Sequence, residues 1–213
     1  MKNRVFLLFI TILTPFLLIS QAVEITPFAG YMFGGKTKFI QGEINFRDNP
    51  NFGIVLDIPV ERVGSVEVFW SHMDTRAEWR PYKQYLPEFD PADYDVSIDY
   101  FQVGGLREGD LGTGIVKGFG SLTLGAAYLN VKDPGVGDVW RFAATLGGGI
   151  KIYPTNRIGI RLQGRLLMPM YWGSAGFYAG IGTGGGSAGI SVNTYTLLLQ
   201  GDLTAGLIIR LGD

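Results

Sequence analysis

The sequence predicts an all-β chain, specifically an eight-stranded antiparallel up-and-down transmembrane β-barrel. Three observations carry that expectation. Apolar and polar residues alternate with period two in eight segments, the pattern of a strand with one face in each environment. Charged residues make up only 17% of the 213 residues, against roughly 25% in ordinary soluble domains. The stretches between the segments are mostly short at one end and long at the other, with "KDPGVGD" a modest exception on the long side, as the turns and loops of a membrane barrel are.

The chain opens "MKNRVFLLFITILTPFLLISQAVE". Lys2 and Arg4 precede an apolar run from Val5 to Ile19, and Ser20-Gln21-Ala22 puts small residues where a signal peptidase reads. The run is too short for a helical span of about 20 residues. Residues 1–22 are therefore expected to be a cleaved secretory signal peptide, and residues 23–213 one barrel domain. No cysteine is present, which excludes a disulfide scaffold or a lipid-modified N-terminal cysteine.

The strands are placed at 23–34, 51–60, 64–75, 94–107, 117–131, 139–153, 157–171 and 194–211. The seventh is the clearest: in "RIGIRLQGRLLMPMY", Ile158, Ile160, Leu162, Leu166, Met168 and Met170 alternate with Arg157, Arg161, Gln163 and Arg165. The eighth sets Leu199, Leu203, Leu207, Ile209 and Leu211 against Gln200, Asp202, Thr204 and Arg210. The sixth alternates Phe142, Ala144, Leu146, Ile150 and Ile152 with Arg141, Thr145 and Lys151. In the fourth, Tyr94, Val96, Ile98 and Tyr100 are taken as the apolar face and Asp95, Ser97 and Asp99 as the polar one. The remaining strands show the same period with weaker contrast.

Connections two, four and six are short, "PTN" being the tightest. Connections one, three and seven, at 35–50, 76–93 and 172–193, are long. An even strand count then puts both termini in the periplasm and the long connections outside. A glycine-rich stretch, "GFYAGIGTGGGSAG", is expected to be a flexible outer loop.

Alternation alone does not say which face meets lipid. A soluble lipocalin-like periplasmic carrier would turn the apolar face inward. Lipid outside is favoured because the polar face is largely Gly, Ser, Thr and Gln rather than flexible Lys and Glu. Aromatics such as Tyr31, Phe33, Trp70, Tyr128, Trp140, Tyr153, Tyr171 and Trp172 also fall near strand ends, as interface girdles do. An arginine facing the bilayer midplane would cost about 2–4 kcal/mol. Glu24, Glu67, Asp99 and Asp202 are accordingly expected in the lumen with Arg141, Lys151, Arg161, Arg165 and Arg210, as a plug of paired charges or the wall of a narrow pore. Eight strands leave an interior just wide enough for side chains.

Two patterns suggest chemistry. "GYMFGGKT" fits a phosphate-cradling P-loop, with "GIVLDIP" downstream as a candidate Walker B strand. A P-loop needs a helix whose free N–H groups meet the phosphates. "KFIQGEINFRDNPN" cannot supply one, so the match is a coincidence of a glycine-rich strand end. The single histidine, His72, follows Ser71, but adjacent strand residues point to opposite faces and cannot pair. One histidine and no cysteine leave no metal cluster. No catalytic, cofactor or metal residues are assigned, and the chain is expected not to be an enzyme. The loop "EWRPYKQYLPEFDPADYD" offers Trp79, Tyr82, Tyr85 and Phe89 as an outer contact surface or as its own packing.

With the strands in place, the chain resembles the outer-membrane protein β-barrel domain family, the small barrels that include OmpX- and OmpW-like proteins. The segments "EITPFAGYMFGG", "VEVFWSHMDT", "YFQVGGL", "TLGGGIKIYPTNRIGIRLQGR" and "QGDLTAGLIIRL" carry the resemblance. It implies a Gram-negative outer-membrane barrel with no catalytic motif to carry over. Such barrels usually end on an aromatic residue; this chain ends Leu211-Gly212-Asp213.

The expected role is structural or surface-interacting, through the outer loops of a monomer. Its partners would be outer-membrane lipid and lipopolysaccharide, with the barrel-assembly machinery during insertion. The near-neutral formal charge of −1 gives no footprint for nucleic acid. A conduit for small hydrophobic molecules, a lipid-modifying enzyme built on His72 and the soluble carrier are the alternatives.

Overall fold

The protein was analysed as a computed structural model, which describes residues 23–38, 42–60, 64–84, 88, 90–112, 114–132, 137–182 and 185–212. For 171–197 it describes the backbone alone. The expected signal peptide therefore lies outside the described residues, as do Tyr85 and Phe89.

Eight long strands close a ring: β1 (Val23–Phe33), β4 (Asn49–Pro59), β5 (Gly64–Pro81), β6 (Ala92–Asp110), β7 (Val116–Val131), β8 (Val139–Ile152), β9 (Ile158–Gly182) and β11 (Gln200–Leu211). Each pairs antiparallel with the next, and β11 returns to β1, so the ring has no open edge. Closure matters because an unpaired strand edge in hydrocarbon would leave backbone groups without partners. Short elements extend the wall at one end. β2 (Lys36–Lys38) and β3 (Gly42–Phe46) form a hairpin on the far part of β5, and β10 (Gly185–Leu197) pairs with the far part of β9. The long connections are thus mostly strand. The glycine-rich stretch expected to be a loose loop instead carries backbone pairing from Gly182↔Gly185 down to Met170↔Leu197.

Both chain ends of the barrel and the short turns lie together, here termed the terminal end; the long connections rise from the loop end. The turn after β6 depends on glycine. Gly112 and Gly114 have φ of 90° and 68°, where a side chain is strained, and the Asp110 carboxylate accepts the Gly112 N–H at 2.6 Å. Along β1 the ladder with β11 skips from Ile25↔Ile209 to Phe28↔Gly206, across Pro27, which has no N–H to give.

The outward face is apolar over most of its height. Phe52, Ile54, Val68, Val103, Leu122, Leu124, Leu146, Leu162, Leu203 and Leu207 are all exposed on it. Register puts Leu122 beside Leu146 and Leu146 beside Leu166, so they form a continuous belt. Monomeric soluble proteins rarely expose contiguous patches beyond a few hundred Å². This belt encircles the molecule, and the barrel is transmembrane. Aromatic residues gather at its loop-end margin, where Phe52 meets Trp70 edge-on at 5.9 Å and Tyr128 lies 4.7 Å from Trp140. Tyr153, expected in a girdle, is instead buried in the lumen at the terminal end, with its hydroxyl on Glu24.

Candidate functional site: the two-tier lumen

Inward side chains fill the barrel in two tiers of opposite chemistry. Space for them comes partly from glycine. A Cβ on Gly147 would sit 2.6 Å from Ser121 Oγ and 2.8 Å from Gln163 Nε2, and one on Gly53 would sit 2.6 Å from the Phe28 ring.

The tier at the terminal end is ionic. Lys151 on β8 donates to Glu24 of β1 and to Asp57 of β4, both at 2.8 Å. Arg161 on β9 donates to Asp57 at 2.8 Å, to Glu67 of β5, and through Nε to Gln163 at 2.9 Å. The Tyr153 hydroxyl and Arg210 Nε also reach Glu24, at 2.8 and 2.9 Å. One step toward the loop end, Arg165 binds Asp202 through Nε at 3.0 Å, while Asn51 donates to the same carboxylate at 2.8 Å. The Arg165 guanidinium lies between the rings of Phe28 and Phe69, at 4.5 and 4.7 Å, and that of Arg161 stacks on Phe119 at 4.4 Å. Lys151, Arg161, Arg165, Glu67, Asp57 and Asp202 are all buried. Such charges are tolerable only when every one is answered, because removing a single partner strands the other in a low-dielectric interior.

Above this plug, Tyr100 donates to Gln200, and Gln200 donates to the Gly34 carbonyl at 2.6 Å. The loop-end tier beyond them is apolar, with Met32, Met73, Val96, Ile98, Leu129, Leu167 and Leu198 buried there. It opens into a cup of about 340 Å³ walled by Ile44, Phe46, Ala77, Trp79, Tyr94, Val96, Leu129, Val131, Val139 and Arg141.

Seven of the nine charged residues expected in the lumen meet in or beside the plug: Glu24, Glu67, Lys151, Arg161, Arg165, Asp202 and Arg210. The other two do not. Asp99 points outward, where it accepts from Trp70 Nε1 at 3.0 Å and from a ring nitrogen of His72 at 2.9 Å. Over 94–100 the fourth strand has the opposite facing to the one its alternation predicts: Val96, Ile98 and Tyr100 are inside, whereas Phe101 and Val103 face out below them. The strand runs past the bilayer margin, where the outer wall must be polar and the lumen is free to be apolar. Arg141 faces inward but lines the cup, and its Nη1 donates to the Trp140 carbonyl at 2.9 Å. Among the loop candidates, Trp79 walls the cup and Tyr82 is half-buried.

Sequence reasoning missed Asp57 and Tyr153 in the plug, Glu108 beside it at 3.7 Å from Lys151, and Gln200 with Tyr100 above it. Asp57 was legible, since it shares strand parity with Asn51 and Val55 and opposes Ile54, Leu56 and Ile58. His72 is oriented by Asp99, with Asp74 at 3.7 Å, whereas Ser71 is fully buried on the opposite face. Among the described residues, His72 has no hydroxyl or thiol partner.

Beyond the membrane margin, Glu78 of β5 accepts from Arg47 at 2.6 Å and from Arg80 at 3.2 Å. The hydrogen bond from Arg47, seconded by that from Arg80, holds its carboxyl below the ordinary glutamate value of 4.5.

The geometry has counterparts among solved structures. Neisserial surface protein A is similar at a TM-score of 0.51 and 13% identity, over 89% of this chain and 97% of that one. This is the fold of the small outer-membrane β-barrels. The attachment invasion locus protein Ail of Yersinia pestis is similar at a TM-score of 0.46 and 12% identity, over 90% of this chain and 100% of that one. The outer membrane protein AlkL reaches 0.46 at 11% identity, over 91% and 92%. No protein-family model matches the chain, and no curated protein matches it in sequence. At these identities the likeness carries the fold, and the reading of function rests on the lumen.

Proposed function

We propose that the protein is a non-enzymatic barrel of the Gram-negative outer membrane that receives a small apolar molecule in its loop-end cup. The observation that carries this reading is the division of the lumen, an apolar cavity open toward the loops above a closed ionic plug. At about 340 Å³ the cup falls within the ~300–1,000 Å³ range of ligand pockets. The plug supports a receptor or loading site rather than an open pore, since Lys151, Arg161 and their carboxylates span the bore. The loop end faces the medium and the termini the periplasm. The apolar belt meets outer-membrane lipid, the aromatic margin meets lipopolysaccharide, and the chain acts as a monomer delivered by the barrel-assembly machinery.

The test uses methyl-labelled protein in lipid nanodiscs with 1-octanol. Intermolecular NOEs from the octanol chain to the methyls of Ala77, Val96, Leu129 and Val139 are expected, and Ala77→Phe should remove them. NOEs confined to lipid-facing methyls such as Leu124 and Leu203 would show that octanol enters only the bilayer, and the cup reading falls.

A further inference from the structure

One row of the outward wall combines rings with a carboxylate. Register places Phe52, His72, Asp99, Tyr128 and Trp140 side by side across β4, β5, β6, β7 and β8, at the loop-end margin of the apolar belt. Lipid headgroups meet a barrel at this height. Below Asp99 on the same strand, Phe101 and Val103 are exposed to lipid. Two carboxylates flank His72, and they are answered differently. Asp74 is paired with Lys132 at 2.7 Å. Asp99 accepts from Trp70 Nε1 at 3.0 Å and meets His72 Nδ1 at 2.9 Å, both on Oδ1. His72 brings a full charge only when protonated. Among the described residues no lysine or arginine pairs with Asp99, and its Oδ2 receives no donor. The side chain keeps 16% of its surface exposed, so a group from outside can reach it.

We propose that this row is a lipid site, with Asp99 receiving the primary ammonium of a membrane lipid headgroup. The inference rests on the lipid-facing belt and is independent of the cup. An ammonium supplies what Asp99 lacks, a positive charge and N–H donors for Oδ2. The site selects for that charge in two ways. Rings on both sides, Phe52, Trp70 and His72 toward β4 and Tyr128 with Trp140 toward β8, offer negative faces that attract a cation. They also displace water, which strengthens the contact between ammonium and carboxylate. The acyl chains of such a lipid would descend over Phe101 and Val103. A headgroup carrying only a phosphate would instead meet the like charge of Asp99.

The experiment places the refolded full-length barrel in phosphatidylglycerol nanodiscs at pH 8. Rising fractions of phosphatidylethanolamine are added, or of its N-acetylated form, which keeps the headgroup in place but removes the positive charge. The reporter is the indole N–H resonance of Trp70, which donates to Asp99. Phosphatidylethanolamine should shift it saturably. A charge-assisted hydrogen bond beside aromatic rings predicts binding about tenfold tighter than that of the acetylated lipid. Asp99→Asn should erase this preference, whereas Asp99→Glu should retain part of it. Equal responses to the two lipids in the unsubstituted protein would overturn the ammonium assignment. No response to either lipid would overturn the site altogether. Persistence of the preference in Asp99→Asn would place the contact elsewhere and overturn the assignment to Asp99. The comparison of the two lipids needs no variant, so it stands even if Asp99→Asn fails to fold.

Discussion

The two tiers of the lumen are built by the same eight strands with the same alternation, yet one is ionic and the other apolar. At the terminal end, Glu24, Asp57, Glu67 and Asp202 answer Lys151, Arg161, Arg165 and Arg210. At the loop end, Met73, Ile98 and Leu167 occupy equivalent inward positions. The difference teaches that lumen polarity in a small barrel is not dictated by lipid outside. The bilayer constrains only the outward face, and the inward face is free to seal or to receive.

The sharpest way to break that contrast is to remove one charge from the plug. Arg161→Ala strands Asp57 and Glu67 together and is expected to cost about 3–5 kcal/mol. Urea titration followed by the mobility of unheated protein on detergent gels reads this directly, because a closed barrel migrates anomalously until it is unfolded. A midpoint unchanged from the unsubstituted protein would mean that the ion pairs contribute nothing net.

A cut in the apolar tier should be felt as lost packing. Ile98→Ala is expected to cost about 2–4 kcal/mol in the same titration, with octanol affinity altered while ion permeability stays at its original level. Should Ile98→Ala leak ions in planar bilayers as Arg161→Ala does, the two tiers would not be separate devices.

Asp99→Asn tests the outward face. The carboxylate is on the wall beside Trp70 and His72, partly reached by solvent, so its loss should cost no more than about 1 kcal/mol. Asp202→Asn, which leaves Arg165 buried without its counter-charge, should cost clearly more. Equal losses would place Asp99 in the lumen after all.

The smallest effect concerns the hairpin above the membrane. Glu78 has a depressed carboxyl pKa, so its pairing with Arg47 and Arg80 is fully present above the ordinary value of 4.5 and is lost as pH falls through the lower folded value. Amide exchange in β3 and the outer part of β5, corrected for intrinsic rates, should be protected at pH 7 and less so near pH 3. Exchange in β9 below Leu167 should show no such change.

Much of the barrel was legible because β11 and the part of β9 up to Met170 lie within the barrel wall at membrane depth. There the outward residues must be apolar and the inward ones are polar, so Arg161, Arg165 and Asp202 declared their side by parity. The same rule misled over 94–100. Beyond the bilayer margin the outward face must be polar and the inward face is free to be apolar, so Val96, which lines the cup, and Ile98, buried in the apolar tier, carry the pattern of lipid-facing residues. The long connections looked like loops because glycine and serine carry weak strand preference, whereas their pairing is set by the strands from which they grow. The cup itself could not be read from one strand. It is assembled by register across β3, β5, β6, β7 and β8, and each wall residue other than Arg141 is alone an ordinary apolar or aromatic strand position.

The ion pairs on Glu24 also bear on how the chain is made. Glu24 stands at the start of the first strand, while Lys151 lies 127 residues away and Arg210 186 residues away, on the strand that closes the ring. A nascent barrel that entered lipid strand by strand would carry an unanswered carboxylate through hydrocarbon until nearly the whole sequence had arrived. A chain cut short before its last strand would leave Glu24 without one of its cations.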